Sequence, residues 1–170
     1  MSFSISEIKY LILPGYMFIT DNHTSIYGVT GSGIFVGIYD KRKMYSGCCS
    51  YLYPYPPDKT TLSTKYGAVA IKHLIKKMRN KGSNVEDLKA HLIGGSDNET
   101  SAQAGVSNVS VANTILGYFM IEILSSDTGG KMGRKFIYNT EDGQSLTLKT
   151  EKVRKSDWFP YEKRENDEQE

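Results

Sequence analysis

A chain of 170 residues with 39% hydrophobic content is long enough to form one domain around a sizeable core. Its 21 basic and 19 acidic side chains leave a net charge of +2, which gives no field arguing for nucleic acid or a membrane surface as partner. Residues 1–13 hold no basic leader and only a short apolar run at 10–13, so neither a signal peptide nor a membrane span is expected, and a cytoplasmic setting is.

Cys48 and Cys49 adjoin in sequence, and neighbours seldom meet disulfide geometry, so two reduced thiols are expected. The Asn-x-Ser/Thr triplets at Asn22, Asn98 and Asn108 then count as chance matches rather than glycosylation sites.

In chain order, residues 8–13 and 16–20 read as two short strands around Pro14-Gly15, followed by a polar loop at 21–24. Tyr27-Gly28-Val29-Thr30-Gly31-Ser32-Gly33-Ile34 has the frame of a glycine-rich loop at a strand edge. Residues 34–39 are almost continuously apolar, as in a strand covered on both faces, and 40–43 turn the chain into a strand over 44–53.

Pro54-Tyr55-Pro56-Pro57 ends that strand, and Ser63 or Thr64 is expected to cap a helix. Its Gly67, Ile71, Leu74, Ile75 and Met78 recur at helical spacing. Lys72, Lys76, Lys77 and Arg79 fall on the other side, as a solvated face would, and Gly82 suits the C-terminal cap.

Residues 88–93 read as a strand running into Gly94-Gly95, then a polar loop at 96–103 leads to a second helix with Gly105, Val109, Ala112, Leu116 and Phe119 on one stripe. A strand over 121–124 follows and ends in the tight segment Asp127-Thr128-Gly129-Gly130. Residues 136–138 and 146–148 look like a hairpin, since Asp142-Gly143 tolerates the positive φ of its turn. The domain is expected to span 1–155, with a charged and disordered tail at 156–170.

These pieces, in this order, resemble CheD, the chemoreceptor glutamine deamidase family. Gly31-Ser32-x-Ile34 is similar to the family's Leu-Gly-Ser-Cys-Val loop, Lys65-Tyr66 to its helix opening, and Gly94-Gly95 to its Gly-Gly-Ala strand end. Gly105 and Asn108 match two positions of Ile-Gly-x-Arg-Asn, and 127–130 match Asp-Thr-Gly-Gly, with Arg134 shortly after. The resemblance implies an α/β cysteine-hydrolase scaffold, a layered mixed or antiparallel sheet with two principal helices.

It also implies where the chemistry would sit, and there this chain departs. Gly33 stands at the Cys position, Ser50 at the His position and Tyr27 at the Thr position. Ser96, Asp97, Asn98 and Glu99 replace Ala-x-Met-Phe, and Ser107 replaces an Arg. Amide hydrolysis through an acyl-enzyme needs a nucleophile and an adjacent base, and neither remains. No catalytic residue, metal or cofactor is therefore expected. The expected function is a binding protein of chemotaxis signalling that engages chemoreceptor helices or a CheC-type phosphatase, with no nucleic acid and no membrane insertion.

Binding positions implied by the resemblance are Gly31, Ser32, Gly94, Gly95, Asn108 and Thr128, to which the alternating tyrosines Tyr51 and Tyr53, with Tyr55, are added as aromatic anchors. Core packing is the competing role for those tyrosines. The alternative function is an active glutamine deamidase or amide hydrolase with Cys48 as a relocated nucleophile. Strand alternation places Cys48 on the face of Ser50, and its base would be His23, His73 or His91, each of which reads more simply as an ordinary packed or surface histidine. His23, His91 and the two cysteines lack metal-site spacing, and residues 129–134 lack the spacing of a phosphate loop, which leaves a structural turn.

Overall fold

The computed structural model describes residues 3, 5–42, 45–97 and 103–158. Along them run β1 (Lys9–Leu11), β2 (Met17–Thr20), β3 (Ser25–Thr30), β4 (Ile34–Asp40), β5 (Tyr45–Tyr51), α1 (Gly67–Asn80), β6 (Leu88–Gly94), α2 (Ala104–Tyr118), β7 (Glu122–Thr128), β8 (Gly133–Asn139) and β9 (Ser145–Thr150). One sheet has the order β1-β3-β8-β9 and the other β2-β5-β4-β6-β7. β1 runs parallel to β3 and β6 to β7, while the remaining pairs are antiparallel, so the expected α/β class with mixed sheets and two principal helices is what the chain forms.

Alternation along β4 explains the layering. Ile34, Val36 and Ile38 face α1 and α2 and pack with Ile71, Leu74, Ile75, Val111 and Ile115, whereas Phe35 faces the four-stranded sheet and packs with Ile26, Phe136 and Tyr138. The five-stranded sheet is thus the middle of three layers. Every residue of β4 is buried, which accounts for its near-continuous apolar run. On α1 the stripe at Gly67, Ile71, Leu74, Ile75 and Met78 is buried, and Lys72, Lys76, Lys77 and Arg79 are exposed.

Several local expectations need correction. β3 is a full strand that the sequence reading took into the loop frame. Residues 8–13 and 16–20 do yield two short strands, β1 and β2, and these join different sheets. Neither Ser63 nor Thr64 caps α1: its N-cap is Tyr66, and the Thr64 hydroxyl donates to the carbonyl of Gly15. On α2 the buried face is Gly105, Asn108, Val111, Ala112, Ile115 and Leu116, so Val109 and Phe119 lie at its margin. β7 reaches Thr128, four residues past the expected end, because a mostly exposed edge strand carries Ser125, Ser126 and Asp127 without an apolar pattern. The β8–β9 hairpin forms as expected, with Gly143 at φ +70°.

Lys43 of the expected turn, Met44, residues 98–102 of the polar loop and residues 159–170 of the expected tail lie outside the described residues. Before them, 155–158 form a 3-10 turn whose Asp157 accepts an ion pair from Lys135. Among the described residues no helix is long and apolar enough to cross a membrane.

Candidate functional site

The motif residues converge on the short loop between β3 and β4. Asn108, wholly buried on α2, donates from Nδ2 to the carbonyls of Ser32 and Leu52, each at 2.8 Å. One amide thus ties the loop to the chain leaving β5. Gly95 N donates to Gly33 O at 2.8 Å and Ser96 N to Gly31 O at 3.0 Å, which fastens the same loop to the end of β6. Gly129 N donates to Gly94 O, and Asp97 N to Gly130 O, so the turn after β7 closes over that end.

Glycine is required where these backbones meet. Gly94 has φ +122°, and a Cβ there would fall inside the contact radius of the Gly33 carbonyl oxygen. Gly105 lets the first turn of α2 press against the Gly95 carbonyl, and the Asp97 carboxylate accepts from Gly105 N at 2.9 Å, a favourable anion at a helix N-terminus. The turn is held from below by Arg134, buried, which pairs with Asp127 at 3.1 Å and donates from Nη1 to Met132 O at 2.8 Å. Residues 129–134 are accordingly a clamped turn leading into a strand.

The three positions implied as chemical do not share one cleft. A Cβ at Gly33 would lie 2.5 Å from the carbonyl oxygen of Tyr51, closer than real Cβ contacts come. The backbone of β5 closes over the place where a nucleophile's side chain would stand. Ser50 is buried between the two sheets, opposite Phe35, and its own backbone pairs with Gly15 and Tyr16. Tyr27 alternates with Ile26, in the inter-sheet core, and with Gly28, whose missing Cβ makes room for the Phe136 ring. It therefore faces away from Ser50, along a groove of about 460 Å³ on the outer side of the four-stranded sheet, with Leu11, Ile137, Leu146 and Leu148.

Cys48 does share the face of Ser50, as alternation required, but it is 1% exposed. Burial pushes its thiol well above the usual range, and pushes Cys49, on the helix side of the sheet, up to about 12. Burial thus disfavours the thiolate, the form in which a cysteine acts as a nucleophile. His91 is the histidine level with Cys48, since both pair with Gly37 of β4, yet two strand spacings, roughly 9–10 Å, separate them. The ring of Tyr138 lies over Gly37 in that interval. His23 instead pairs with Glu141 at 3.2 Å, and His73 is exposed on α1. No described histidine contacts Cys48.

His91 has a structural role with a testable consequence. Its Nδ1 lies 2.7 Å from Ser125 Oγ, Nε2 is buried against Gly143, and burial lowers its pKa, with Asp142 opposing the shift. A folded-state pKa below the unfolded value of about 6.5 means that the unfolded chain binds the proton first. Stability is therefore expected to fall as pH drops below about 6.5. Urea midpoints from pH 7.5 to 5 should show that fall, and His91→Gln should remove most of its slope.

Of the expected binding residues, Gly31, Ser32, Gly94, Gly95 and Asn108 gather at the loop, with Thr128 opposite Gly94 across β6 and β7. Tyr51 needs correction as a surface anchor: it is 0% exposed, fills the space left by Gly67 and donates its hydroxyl to Asn108 O at 2.6 Å. Tyr53 and Tyr55, at 52% and 60% exposure, do stand on the surface. The sequence reading missed Tyr16, exposed beside the Gly15 contact with Thr64 and Lys65; an aromatic directly after a Pro-Gly turn was its only signal.

Residues 54–149 match the family model described as CheD chemotactic sensory transduction. The chain is 34% identical over 152 residues to the probable chemoreceptor glutamine deamidase CheD of Sulfurimonas denitrificans, covering 86% of this chain and 97% of that protein. It is 30% identical over 142 residues to the probable chemoreceptor glutamine deamidase CheD of Trichlorobacter lovleyi, covering 81% and 88%. It is 31% identical over 121 residues to the chemoreceptor glutamine deamidase CheD of Thermotoga maritima, covering 70% of this chain and 77% of that protein. The family-model match begins at Pro54, beyond Tyr27, Gly33 and Ser50.

Proposed function

Because the chain belongs to the CheD family, we propose that it is a cytoplasmic chemotaxis protein that docks on a chemoreceptor without deamidating it. The observation that carries this reading is the backbone closed over Gly33, where the Tyr51 carbonyl takes the volume a nucleophile's Cβ needs. Loss of a nucleophile and its base together removes several orders of magnitude in rate, because the two act as a unit. The burial of Cys48, and the Tyr138 ring between it and His91, speak against a relocated nucleophile.

Docking needs shape and apolar anchors, and none of the lost groups. Tyr53 and Tyr55, with Tyr16, form the contact face, and Tyr53 is braced by Tyr66 at a ring separation of 5.6 Å. Gly31, Ser32, Gly94, Gly95, Asn108 and Thr128 act by holding the rim of that face in shape. A CheC-type phosphatase would use the same tyrosines and compete with the receptor.

Reinstalling the missing groups tests the reading. Gly33→Cys with Ser50→His is expected to give no deamidation of a chemoreceptor cytoplasmic fragment, because the new Cβ meets a carbonyl and the imidazole enters a buried row beside Phe35. Glutamine-to-glutamate conversion by a folded double variant would contradict the closed-backbone account.

A further inference from the structure

The exposed side of α1 borders a groove of about 660 Å³ whose two halves differ in chemistry. Leu62, Ala68 and Val69 line one half, and Leu62 is 78% exposed. Lys72, Lys76 and Lys77 line the other, and among the described residues no carboxylate pairs with them. Asp58, the acidic residue of the adjoining loop, is already engaged by the Thr60 and Thr61 amides and hydroxyls. Pro56, directly after the exposed Tyr55, also lines the groove, so the groove adjoins the proposed docking face at that residue.

We infer that this groove receives an acidic amphipathic helix of the chemoreceptor, with apolar residues seated on Leu62 and Val69 and carboxylates facing Lys72 and Lys76. The inference rests on the docking reading and adds to it the surface and the partner's chemistry. Lys72 and Lys76 are one helical turn apart, about 6 Å along the axis, which is the spacing of carboxylates four residues apart on a facing helix. An apolar floor beside a cationic wall suits a helix laid in a groove, whereas nucleic acid would engage cations through its phosphates and leave Leu62 in water. Rim charges of this kind act mainly on association rate and salt dependence.

The test is a titration of the chemoreceptor cytoplasmic fragment against the full chain and its Lys72→Glu/Lys76→Glu/Lys77→Glu variant, at low and high salt. The fragment is expected to bind the parent more weakly as salt rises, and the variant at least about tenfold more weakly at low salt. Because the three lysines are exposed, the variant's thermal midpoint should match the parent's. If reversal hampers folding, Lys72→Gln/Lys76→Gln and Leu62→Ser serve in its place, and each should also weaken binding. Parent and variants binding equally would overturn the groove assignment while leaving docking intact. A parent that binds no receptor fragment would overturn both. Sedimentation with phosphatidylserine vesicles that the reversal abolishes would replace the helix with a membrane and also overturn the assignment.

Discussion

Gly94→Ala is expected to cost at least about 3 kcal/mol of folding stability, a large share of the roughly 5–15 kcal/mol that holds a domain of this size. Two penalties add at this position. A φ of +122° is one that L side chains rarely adopt, and the new methyl would run into the Gly33 carbonyl oxygen, a backbone atom that cannot rotate aside. Thr30 crowds the same methyl, with Oγ1 at 2.9 Å and Cβ at 3.0 Å. Gly31→Ala is the control, since nothing stands within 4 Å of a Cβ there and its φ is ordinary; its effect should stay within about 0.5 kcal/mol. Urea midpoints of the two variants measure the contrast, and equal midpoints would show that the loop and the end of β6 are not locked together.

Asn108→Asp should be more damaging than Asn108→Ala, although it is the closer match in shape. Alanine removes two hydrogen bonds from the buried amide to Ser32 O and Leu52 O, a loss of about 2–4 kcal/mol with the carbonyls left unpaired. Aspartate loses the same donors and also sets a carboxylate oxygen against two carbonyl oxygens in a site shut off from water. Its destabilisation should grow as pH rises through the carboxylate range, because protonation relieves the repulsion. Thermal midpoints at pH 4.5 and 7.5 for parent and both variants would show whether the order and the pH dependence hold. An aspartate variant as stable as the alanine variant at neutral pH would mean that the amide does not hold the loop.

What could be read from the sequence follows from where single residue types carry the information. The β4 run, the α1 stripe and the Asp142-Gly143 hairpin are set by local pattern, and each forms where the pattern placed it. The cap of α1 was misplaced because Thr64 is claimed by the carbonyl of Gly15, a partner 49 residues away that no local rule reveals. β7 outran its apolar start because an exposed edge strand is specified by its neighbour β6 rather than by its own side chains.

The glycines and Asn108 of the site were legible through the family resemblance, whereas their purpose was not. Their work is done through backbone contacts with residues distant in sequence, and spacing along the chain carries no record of those contacts. Tyr27 is the clearest example. Its neighbours Ile26 and Gly28 assign it to the outer face of the sheet, and that assignment requires knowing which side of β3 meets Phe136. The basic face of α1 likewise reads as a solvated surface until the loop carrying Leu62 is placed beside it.

In this chain the family's loop frame surrounds a glycine whose Cβ position is occupied by a backbone carbonyl. Mass spectrometry of a chemoreceptor cytoplasmic fragment from the same organism, after incubation with the purified full chain, shows whether that closure abolishes deamidation. Binding without the mass gain of glutamine-to-glutamate conversion is the predicted result. A conversion that Cys48→Ser abolishes would contradict the account and would make that buried thiol the nucleophile.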